Sequence, residues 1–380
     1  MALMNPKVVI NSEENNILKF TLSDVHTSLA NSLRRIVLSE IDTIVFKTFP
    51  HSENNVDITV NTTRLNNEII KQRIGCIPIH INDDKFPYED YLVELDVKND
   101  GDTIIKCTTE NFKIKNAVTD KYLPQNVVKE IFPPDIFTGD YIPITRIRPK
   151  LSENIDSEHL QLTAKLGIGK AKDDGMYNIV STCCYGFTLD KVKASDEWNN
   201  KEKELNKNGL TEEEIDFEKK NWFLLEAKRK TIPNSFDYSI ETIGVFSNFQ
   251  IVYKACDIMI SKCKNFISYV NNLENENNPV EIEINENSTI ENEYKVTLHN
   301  EDYTIGNPLV YFLYEKYYIK EKTLSFVGFN IPHPHIPKGV IRIAFENIVD
   351  PSVIVEYMIN AAENVIDIFE KIQKEFNQQE

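Results

Sequence analysis

The sequence is poor in the residues from which catalytic loops and metal sites are built. It has 12 glycines and 6 cysteines among 380 residues, and it contains no phosphate-binding glycine loop, nucleophile elbow or Cys-x-x-Cys pair. Cys183 and Cys184 are adjacent, which predicts a strand with one cysteine on each face, whereas Cys256 and Cys263 have the spacing of a helix core. The pattern therefore indicates neither a zinc site nor a disulfide framework.

Long apolar runs and an excess of positive charge are also absent. No stretch approaches the roughly 18 apolar residues of a membrane span, and residues 1–6 carry no signal-peptide pattern. The formal net charge is −17, whereas sequence-independent binding to nucleic acid requires Lys and Arg to neutralise phosphates. We expect a soluble intracellular protein with packed cores that contacts nucleic acid only indirectly and does not contact a membrane.

A six-residue sequence motif, which we call the phrase, occurs twice in the chain. Residues 28–33 (SLANSL) and 304–309 (TIGNPL) share the order hydroxyl, aliphatic, small, Asn, small or Pro, Leu, at a separation of 276 residues. A strand-like alternating run precedes each copy, and each copy opens an amphipathic helix. The repetition predicts two copies of one structural module on a single chain.

Each module is predicted to close with a long amphipathic helix. Asp350-Pro351 is a helix-start signal, and the apolar residues that follow recur at steps of four and three, which favours a partner helix. A looser stripe follows Asn248, and an ordinary core helix is the alternative for either stripe alone. The dimerisation residues predicted from these apolar stripes are Leu29, Leu33, Ile36, Val252, Met259 and Phe266 in the first module, and Leu309, Ile354, Met358, Val365 and Ile368 in the second.

The distances between landmarks locate an insertion. Asn307 and Pro351 are 44 residues apart, whereas Asn31 and Phe249 are 218 apart, so the first module holds about 174 extra residues, enough for a domain. Short strand-like runs occur in it at 56–60, 92–97, 103–107 and 160–165. A charged helical segment with an apolar anchor at residues 222–225 follows.

These patterns predict an α+β protein with two dimerisation modules of strands and amphipathic helices, the first interrupted by a β-rich insert domain. The predicted boundaries are 1–50 with 234–270 for the first module, 51–190 for the insert, 191–233 for the charged helical insertion, 271–279 for a linker and 280–380 for the second module.

Two histidines keep an enzymatic alternative open. His333 and His335 are close enough in sequence to suggest a metal clasp, but no acidic partner stands at the spacing of a metalloprotease. Prolines on both sides of His333 favour an extended, rigid loop instead. We therefore expect Pro332, His333 and Pro334 to form a structural loop, with no cofactor, metal or catalytic residue in the chain; the alternative is a metal-dependent enzyme built on His333 and His335.

Four ordered segments resemble the α-type subunits of multisubunit RNA polymerases, above all the third-largest subunit of eukaryotic RNA polymerase II. They are residues 30–40 (ANSLRRIVLSE), 60–62 with 68–79 (EIIKQRIGCIPI), 166–170 (LGIGK) and 237–244 (DYSIETIG). Residues 300–307 (NEDYTIGN) and 326–334 (FVGFNIPHP) resemble the small eleventh subunit that pairs with the third. This resemblance implies that Glu301, Asp302, Gly306 and Asn307 also take part in dimerisation. Tyr303 stands where that family usually has His, and the third subunit's zinc-binding cysteine cluster has no counterpart, since Cys76 and Cys107 are isolated.

The resemblance implies a non-catalytic assembly platform of a DNA-directed RNA polymerase. The two modules would pair within the chain, and the two largest subunits would assemble on the pair, with small polymerase subunits as further partners. Asn31, Arg34, Arg35, Arg73 and Gly75 would contact the large subunits or fix the corner of the module, and plain structural roles are the alternative.

The fusion of both modules implies a source and a location. Because cellular polymerases carry these modules on separate chains, a single chain implies a large DNA virus, with viral transcription in the host cytoplasm or nucleus and the protein in the virion. A free-standing adaptor that uses the α-like fold outside a polymerase is the third hypothesis.

Overall fold

The computed structural model describes residues 4–83, 85–150, 152, 156–275, 277–285 and 288–377. The chain divides into two compact units. Unit 1 comprises the described parts of Met1–Ile36, Thr182–Glu241 and Val252–Glu380, and unit 2 comprises those of Val37–Ser181 and Thr242–Ile251. The outer ends of the two predicted modules, at 1–3 and 378–380, and position 276 of the predicted linker lie outside the described residues.

Helices and antiparallel sheets alternate along the chain, which is a mixed α+β fold. The α-helices of the described residues are α1 (Thr27–Ser39), α2 (Asn67–Gly75), α3 (Gln125–Ile131), α4 (Lys191–Lys207), α5 (Glu212–Leu224), α6 (Asn248–Asn271), α7 (Tyr303–Leu313) and α8 (Pro351–Asn377). A π-helical turn, Tyr314–Lys320, continues α7. None of the described helices is both long and apolar enough to span a membrane.

The strands of the described residues are β1 (Lys7–Glu14), β2 (Ile17–Ser23), β3 (Thr43–Val45), β4 (Val56–Asn61), β5 (Tyr91–Lys98), β6 (Ile105–Thr108), β7 (Lys113–Asn116), β8 (Lys121–Tyr122), β9 (Pro143–Ile147), β10 (His159–Lys165), β11 (Gly167–Gly169), β12 (Val180–Leu189), β13 (Thr231–Thr242), β14 (Val280–Ile284), β15 (Glu293–His299), β16 (Leu324–Asn330) and β17 (Lys338–Phe345). Each of the four strand-like runs predicted between residues 56 and 165 coincides with one of these strands.

Two four-stranded sheets repeat one topology. Their strand orders are β1-β2-β13-β12 and β14-β15-β17-β16. Along the chain, the elements of each sheet follow one order: a hairpin, a helix, two further strands and a long helix. We call β1, β2, α1, β12, β13 and α6 the first copy, and β14, β15, α7, β16, β17 and α8 the second copy.

The separation of 276 residues extends from the repeated phrase to the elements around it. The seven-residue strands β2 and β15 begin at Ile17 and Glu293, and helices α1 and α7 begin at Thr27 and Tyr303. Both pairs of starts differ by the same 276 residues as the phrase. The predicted strand and helix at each copy of the phrase are therefore confirmed.

The long helices bury their predicted stripes. Helix α8 begins at Pro351 as the Asp-Pro signal predicts, and α6 begins at Asn248. The predicted apolar positions of both helices are buried: Val252, Met259, Phe266, Ile354, Met358, Val365 and Ile368. Cys256 and Cys263 are buried in α6, and on β12 Cys183 is buried while Cys184 is exposed, as their spacing predicts.

Residues 191–233 contain the helical pair α4 and α5, and the predicted apolar anchor is only partly buried: Trp222 is half-buried, whereas residues 223–225 are exposed. Leu225 is 65% exposed, whereas Trp198 of α4 is 2% exposed. The indole of Trp222 lies beside that of Trp198, with centroids 6.4 Å apart, and its Nε1–H donates to the carbonyl of Ala194 at 3.3 Å. Two packed helices bury one face each, so a run of four apolar residues cannot be buried together.

Unit 2 is built around a five-stranded antiparallel sheet with the order β4-β10-β5-β7-β8. Phe46, Phe112 and Phe132 meet in its core, with the rings of Phe112 and Phe132 centred 4.9 Å apart. Two smaller pairs, β3 with β11 and β6 with β9, complete the unit.

A buried carboxylate holds the sheet of the second copy. Arg342 of β17 donates two hydrogen bonds to the Glu293 carboxylate of β15, the one from Nη2 measuring 2.9 Å, and the Ser288 hydroxyl donates another. The bonds from Arg342 stabilise the charged form and lower the pKa of Glu293 to about 2, although burial opposes the shift.

We expect this carboxylate to make the stability of the second copy depend on pH. Because the folded-state pKa lies below the unfolded value, the contribution of Glu293 is complete above about pH 4.5 and is lost as the pH falls toward 2. Glu293→Gln should reduce the free energy of unfolding by about 2 kcal/mol at pH 7, since Arg342 is partly screened by solvent.

Urea unfolding between pH 7 and pH 3 measures the effect. The difference between the wild-type chain and Glu293→Gln should shrink as the pH falls, and the control Glu283→Gln, on the edge strand β14, should behave like wild type. A difference that stays constant over this range would contradict the assigned role of Glu293.

Candidate functional site

The two copies of the repeated phrase touch each other inside unit 1. Ser32 of α1 is buried, and its Oγ lies 2.6 Å from the carbonyl oxygen of Thr304, the second residue of α7. The same hydroxyl lies 2.8 Å from the carbonyl oxygen of Ser28 in its own helix. Because Thr304 is also buried, the contact is shielded from water and joins α1 to the start of α7.

Arg35 extends this contact one helical turn further along α1. Its Nη2 lies 2.7 Å from Asp302 Oδ2, and its Nε–H donates to Thr304 Oγ1 at 2.8 Å. The other carboxylate oxygen of Asp302 accepts from the backbone N–H of Thr304 at 2.8 Å and caps α7. One carboxylate therefore both starts α7 and binds α1.

A second ion pair lies between α6 and the residue before that cap. Lys262 Nζ lies 2.9 and 3.1 Å from the two carboxylate oxygens of Glu301. We call Ser32, Arg35, Lys262, Glu301, Asp302 and Thr304 the junction. The first copy supplies both cations of the junction, and the segment that opens α7 supplies both anions.

Aromatic side chains continue the contact on both sides of the junction. The ring of His26 stacks on Tyr311 of α7 at a centroid distance of 3.8 Å, and burial lowers the pKa of His26, although Glu315 opposes the shift. Phe376 of α8 packs edge-on against Phe20 of β2 at 5.1 Å. Helices of the second copy thus rest on the sheet and helix of the first.

The small residue of the phrase is buried in both copies. At Gly306, an added Cβ would lie 2.4 Å from a ring carbon of Phe329, and at Gly339 it would lie 2.3 Å from the same ring. In the first copy, the carbonyl of Ala30 accepts a hydrogen bond from the Tyr238 hydroxyl at 2.5 Å. The packed ring of Phe329 therefore limits the side chain at position 306.

The structure brings the predicted dimerisation residues together in the interior of unit 1. The apolar members and Gly306 are buried, and the polar members are half-buried. The first group is Leu29, Leu33, Ile36, Val252, Met259, Phe266, Gly306, Leu309, Ile354, Met358, Val365 and Ile368, and the second is Glu301, Asp302 and Asn307. Sequence reasoning missed Ser32 and Lys262; Ser32 is in the phrase, but no local pattern points to Lys262.

The residues predicted to face large subunits fall into different environments. Asn31 and Arg34 are half-buried neighbours on α1, where Arg34 Nε–H donates to Asn31 Oδ1 at 3.0 Å. Asn31 is the fifth residue of α1 and Asn307 is the fifth of α7. Neither residue therefore lies at a helix end. The guanidinium of Arg35 is held by Asp302 and Thr304, as a junction residue.

Arg73 and Gly75 belong to unit 2. Arg73 is exposed, and its Nη1 donates to the carbonyl of Ile144 at 2.7 Å. Gly75 is buried, and a Cβ there would lie 2.7 Å from Thr48 Oγ1. Gly75 thus serves close packing at the end of α2, whereas Arg73 presents an accessible cation.

The histidine loop is open on the surface. The rings of His333 and His335 are centred 5.0 Å apart, and the backbone N–H of His335 donates to His333 Nδ1 at 3.1 Å. In the part of the chain that the structure describes, no group of three or more His, Cys, Asp or Glu side chains could hold a metal ion.

Comparisons with known proteins agree with this arrangement of two copies. Residues 19–263 match the model of the RNA polymerase Rpb3/Rpb11 dimerisation domain, and residues 293–375 match a second model with the same description. The chain is 26% identical over 289 residues to DNA-directed RNA polymerase subunit Rpo3 of Pyrococcus furiosus, which covers 70% of this chain and 98% of that protein.

Two eukaryotic RNA polymerase subunits are also similar to parts of this chain. The rpac1 subunit of DNA-directed RNA polymerases I and III of Dictyostelium discoideum is 27% identical over 305 residues, covering 71% of this chain and 84% of that protein. Subunit 3 of DNA-directed RNA polymerases II, IV and V of Arabidopsis thaliana is 36% identical over 74 residues, covering 20% of this chain and 21% of that protein.

Proposed function

The chain belongs to the RNA polymerase Rpb3/Rpb11 dimerisation domain family, and we propose that it is a non-catalytic assembly subunit of a multisubunit DNA-directed RNA polymerase. Its two copies would pair within one polypeptide, as an intramolecular α-like heterodimer. The two largest subunits would assemble on this pair, and small polymerase subunits would bind beside them.

The junction is the observation that carries the proposal. It joins the two copies through a buried hydroxyl contact and two ion pairs, at the place where the repeated phrase occurs in each. Covalent linkage gives paired modules an effective concentration of the order of millimolar when the linker spans the sites. A moderate interface therefore suffices to keep the pair closed.

The charges of the junction also support pairing of unlike copies. Arg35 and Lys262 belong to the first copy, whereas Asp302 and Glu301 belong to the segment that opens α7. Two first copies placed in the same geometry would bring cations together, and two second copies would bring anions together. Like charges in partly buried contacts are unfavourable, so the arrangement selects a first copy with a second.

We further propose that the chain arose by fusion and by insertion into the first copy. The match to Rpo3 covers nearly all of that protein but only 70% of this chain. The second Rpb3/Rpb11 dimerisation-domain model matches residues 293–375. Residues between α1 and β12 contain the sheet of unit 2, whereas α7 and its π-helical turn are followed almost directly by β16. These observations support an insert at about the predicted place and a second module fused after the linker.

The source and location are proposed from the resemblance alone. A fused pair fits a viral polymerase that transcribes in the host cytoplasm and is packaged in the virion. The proposed large-subunit contacts are Asn31 and Arg34 of unit 1 and Arg73 of unit 2, whose side chains are half-buried or exposed. Within their own units, Arg35 is held by Asp302 and Gly75 packs closely against Thr48, so both are assigned structural roles.

Co-purification tests the proposal. A tagged chain expressed with the two largest polymerase subunits of its source should recover both in equal amounts. Arg34→Glu should reduce their recovery at least about threefold, because a reversed charge at a protein interface disfavours association. The exposed control Lys264→Glu, on α6, should recover both subunits as wild type does.

Folding is checked separately by thermal melting of each purified variant. Recovery of a folded chain without either large subunit would contradict the platform and favour a free-standing adaptor. If Arg34→Glu and Lys264→Glu reduce the recovery of the large subunits equally, the assignment of Arg34 to the contact would be contradicted.

A further inference from the structure

Unit 2 contains a basic cleft bordered by the β6–β9 pair, the turn before α2 and α2 itself. It has a volume of about 1060 Å³. We call it the basic cleft because its charged lining comprises Arg64, Arg73, Lys106, Arg146 and Arg148 against Glu110 and Asp140. This excess of cations contrasts with the formal net charge of −17 for the whole chain.

Two of these cations face each other across the strand pair. Lys106 of β6 lies directly opposite Arg146 of β9 in the antiparallel register. Like charges at such positions destabilise a sheet. Among the described residues, no carboxylate forms an ion pair with Lys106, Arg146 or Arg64. The charge of Arg64 contributes to the lowered pKa of Glu158, so the uncompensated repulsion is the one between Lys106 and Arg146. An anionic ligand would relieve it.

Two further cations of the cleft, Arg73 and Arg148, are hydrogen-bonded to other groups of the chain. Arg73 donates to the carbonyl of Ile144 on β9 at 2.7 Å. Arg148 Nε–H donates to Glu158 at 2.6 Å, and although burial opposes the shift, the hydrogen bonds from Arg148 lower the pKa of Glu158. Glu158 therefore neutralises Arg148, while Arg73 is held in place at the wall of the cleft.

Apolar groups separate the cations. Ile104 is 60% exposed, and Leu65 and Pro143 also line the cleft. Aliphatic groups between cations suit a peptide better than a phosphate backbone. Nucleic acid would require rings on which bases stack, and Tyr141 is half-buried. An inorganic anion would leave most of this cleft empty.

We propose that the basic cleft binds an extended, acidic segment of a partner protein. Its carboxylates meet Arg64, Lys106 and Arg146, and an aliphatic side chain of the segment packs on Ile104. The inference does not rest on the proposed function, because the residues that carry it are described in unit 2 alone and its test requires no large subunit.

Fluorescence anisotropy on the full chain tests this inference. The probe is a fluorescein-labelled peptide of sequence Glu-Asp-Glu-Leu-Asp-Glu-Ile-Glu-Asp-Glu, and its Gln/Asn counterpart is the neutral control. The acidic peptide should bind more tightly than the neutral one, and the binding should weaken as salt rises from about 50 mM to about 300 mM. Lys106→Glu/Arg146→Glu should weaken it at least about tenfold, since attraction becomes repulsion at two positions.

Two further variants separate binding from folding and from total charge. Lys106→Glu alone places opposite charges across β6 and β9, so its melting temperature should not fall while peptide binding does. Lys113→Glu/Lys129→Glu makes the same change of charge at exposed sites outside the lining and should alter binding less than about twofold.

Three results would overturn the inference. They are the absence of peptide binding up to about 1 mM, equal losses in the two double variants, and tighter binding of a twelve-nucleotide oligothymidylate than of the peptide. The last result would assign the basic cleft to nucleic acid.

Discussion

Replacing Gly306 with valine is expected to destabilise the second copy by more than about 3 kcal/mol. Three ring carbons of Phe329 lie 2.4 to 2.6 Å from the place of a Cβ at this position, and real carbon contacts need about 3.5 Å. Gly339 approaches the same ring, with Cζ and Cε2 of Phe329 2.3 and 2.6 Å from the place of its Cβ. The ring is therefore closely packed, and we expect the new side chain to push α7 and the ring apart.

The clash can be isolated by a double substitution. Phe329→Ala removes the three ring carbons nearest to the new Cβ, so its combination with Gly306→Val should cost less than the sum of the two single changes. The coupling should exceed about 1 kcal/mol in urea unfolding. Gly186→Val is the matched control, because no heavy atom lies within 4 Å of a Cβ at that strand position.

A Gly306→Val variant with nearly the wild-type free energy of unfolding would show that the ring can adopt another position. Equal losses of unfolding free energy in Gly306→Val and Gly186→Val would show the same. Either result would contradict the role assigned to the ring of Phe329, which is to exclude a side chain from the small position in the second copy of the phrase.

Reversing the charge of Lys262 is expected to cost about 2 kcal/mol. Lys262 and Glu301 form a partly buried pair, with side chains 16% and 27% exposed, so Lys262→Glu would place two carboxylates together in a site with limited solvent screening. Glu301 does not cap α7, because Asp302 does. The pair can therefore be exchanged without the loss of a helix cap.

The exchanged variant makes this prediction specific to the pair. Lys262→Glu/Glu301→Lys should recover at least half of the lost free energy of unfolding, whereas each single reversal should be destabilising. The exposed reversal Lys264→Glu, two residues away on α6, serves as control. A double variant that is as unstable as the sum of its parts would argue against a direct interaction.

Local patterns in the sequence predicted the elements well. The Asp-Pro signal marked the start of α8, the phrase marked α1 and α7, and apolar periodicity marked the buried faces of α6 and α8. These features depend on residues within one or two helical turns, so a single sequence carries them.

Contacts between distant residues could not be predicted in the same way. Arg35 was expected at a surface for large subunits, but its guanidinium meets a carboxylate 267 residues further along the chain. Helical periodicity places Arg35 beside an apolar stripe and says nothing about the partner. The resemblance was informative about the region and could not separate a junction residue from a docking residue.

The anchor of the charged segment illustrates a second limit. The dense run at residues 222–225 outweighs an isolated Trp198 in any local count of apolar residues. Which of them is buried depends on how α4 packs on α5, and one face of each helix meets the other. Trp198 is therefore buried, while most of the run faces solvent.

The central claim is that both halves of a paired platform are carried on one chain, and cleavage of the linker tests it most directly. A protease site inserted after Asn275 would be cut in the purified, folded chain, and light scattering would then give the mass of the eluted particle. We predict one particle of about 44 kDa that contains both fragments, held by the junction and the helices around it. Two folded fragments that elute separately at micromolar concentration would contradict the claim.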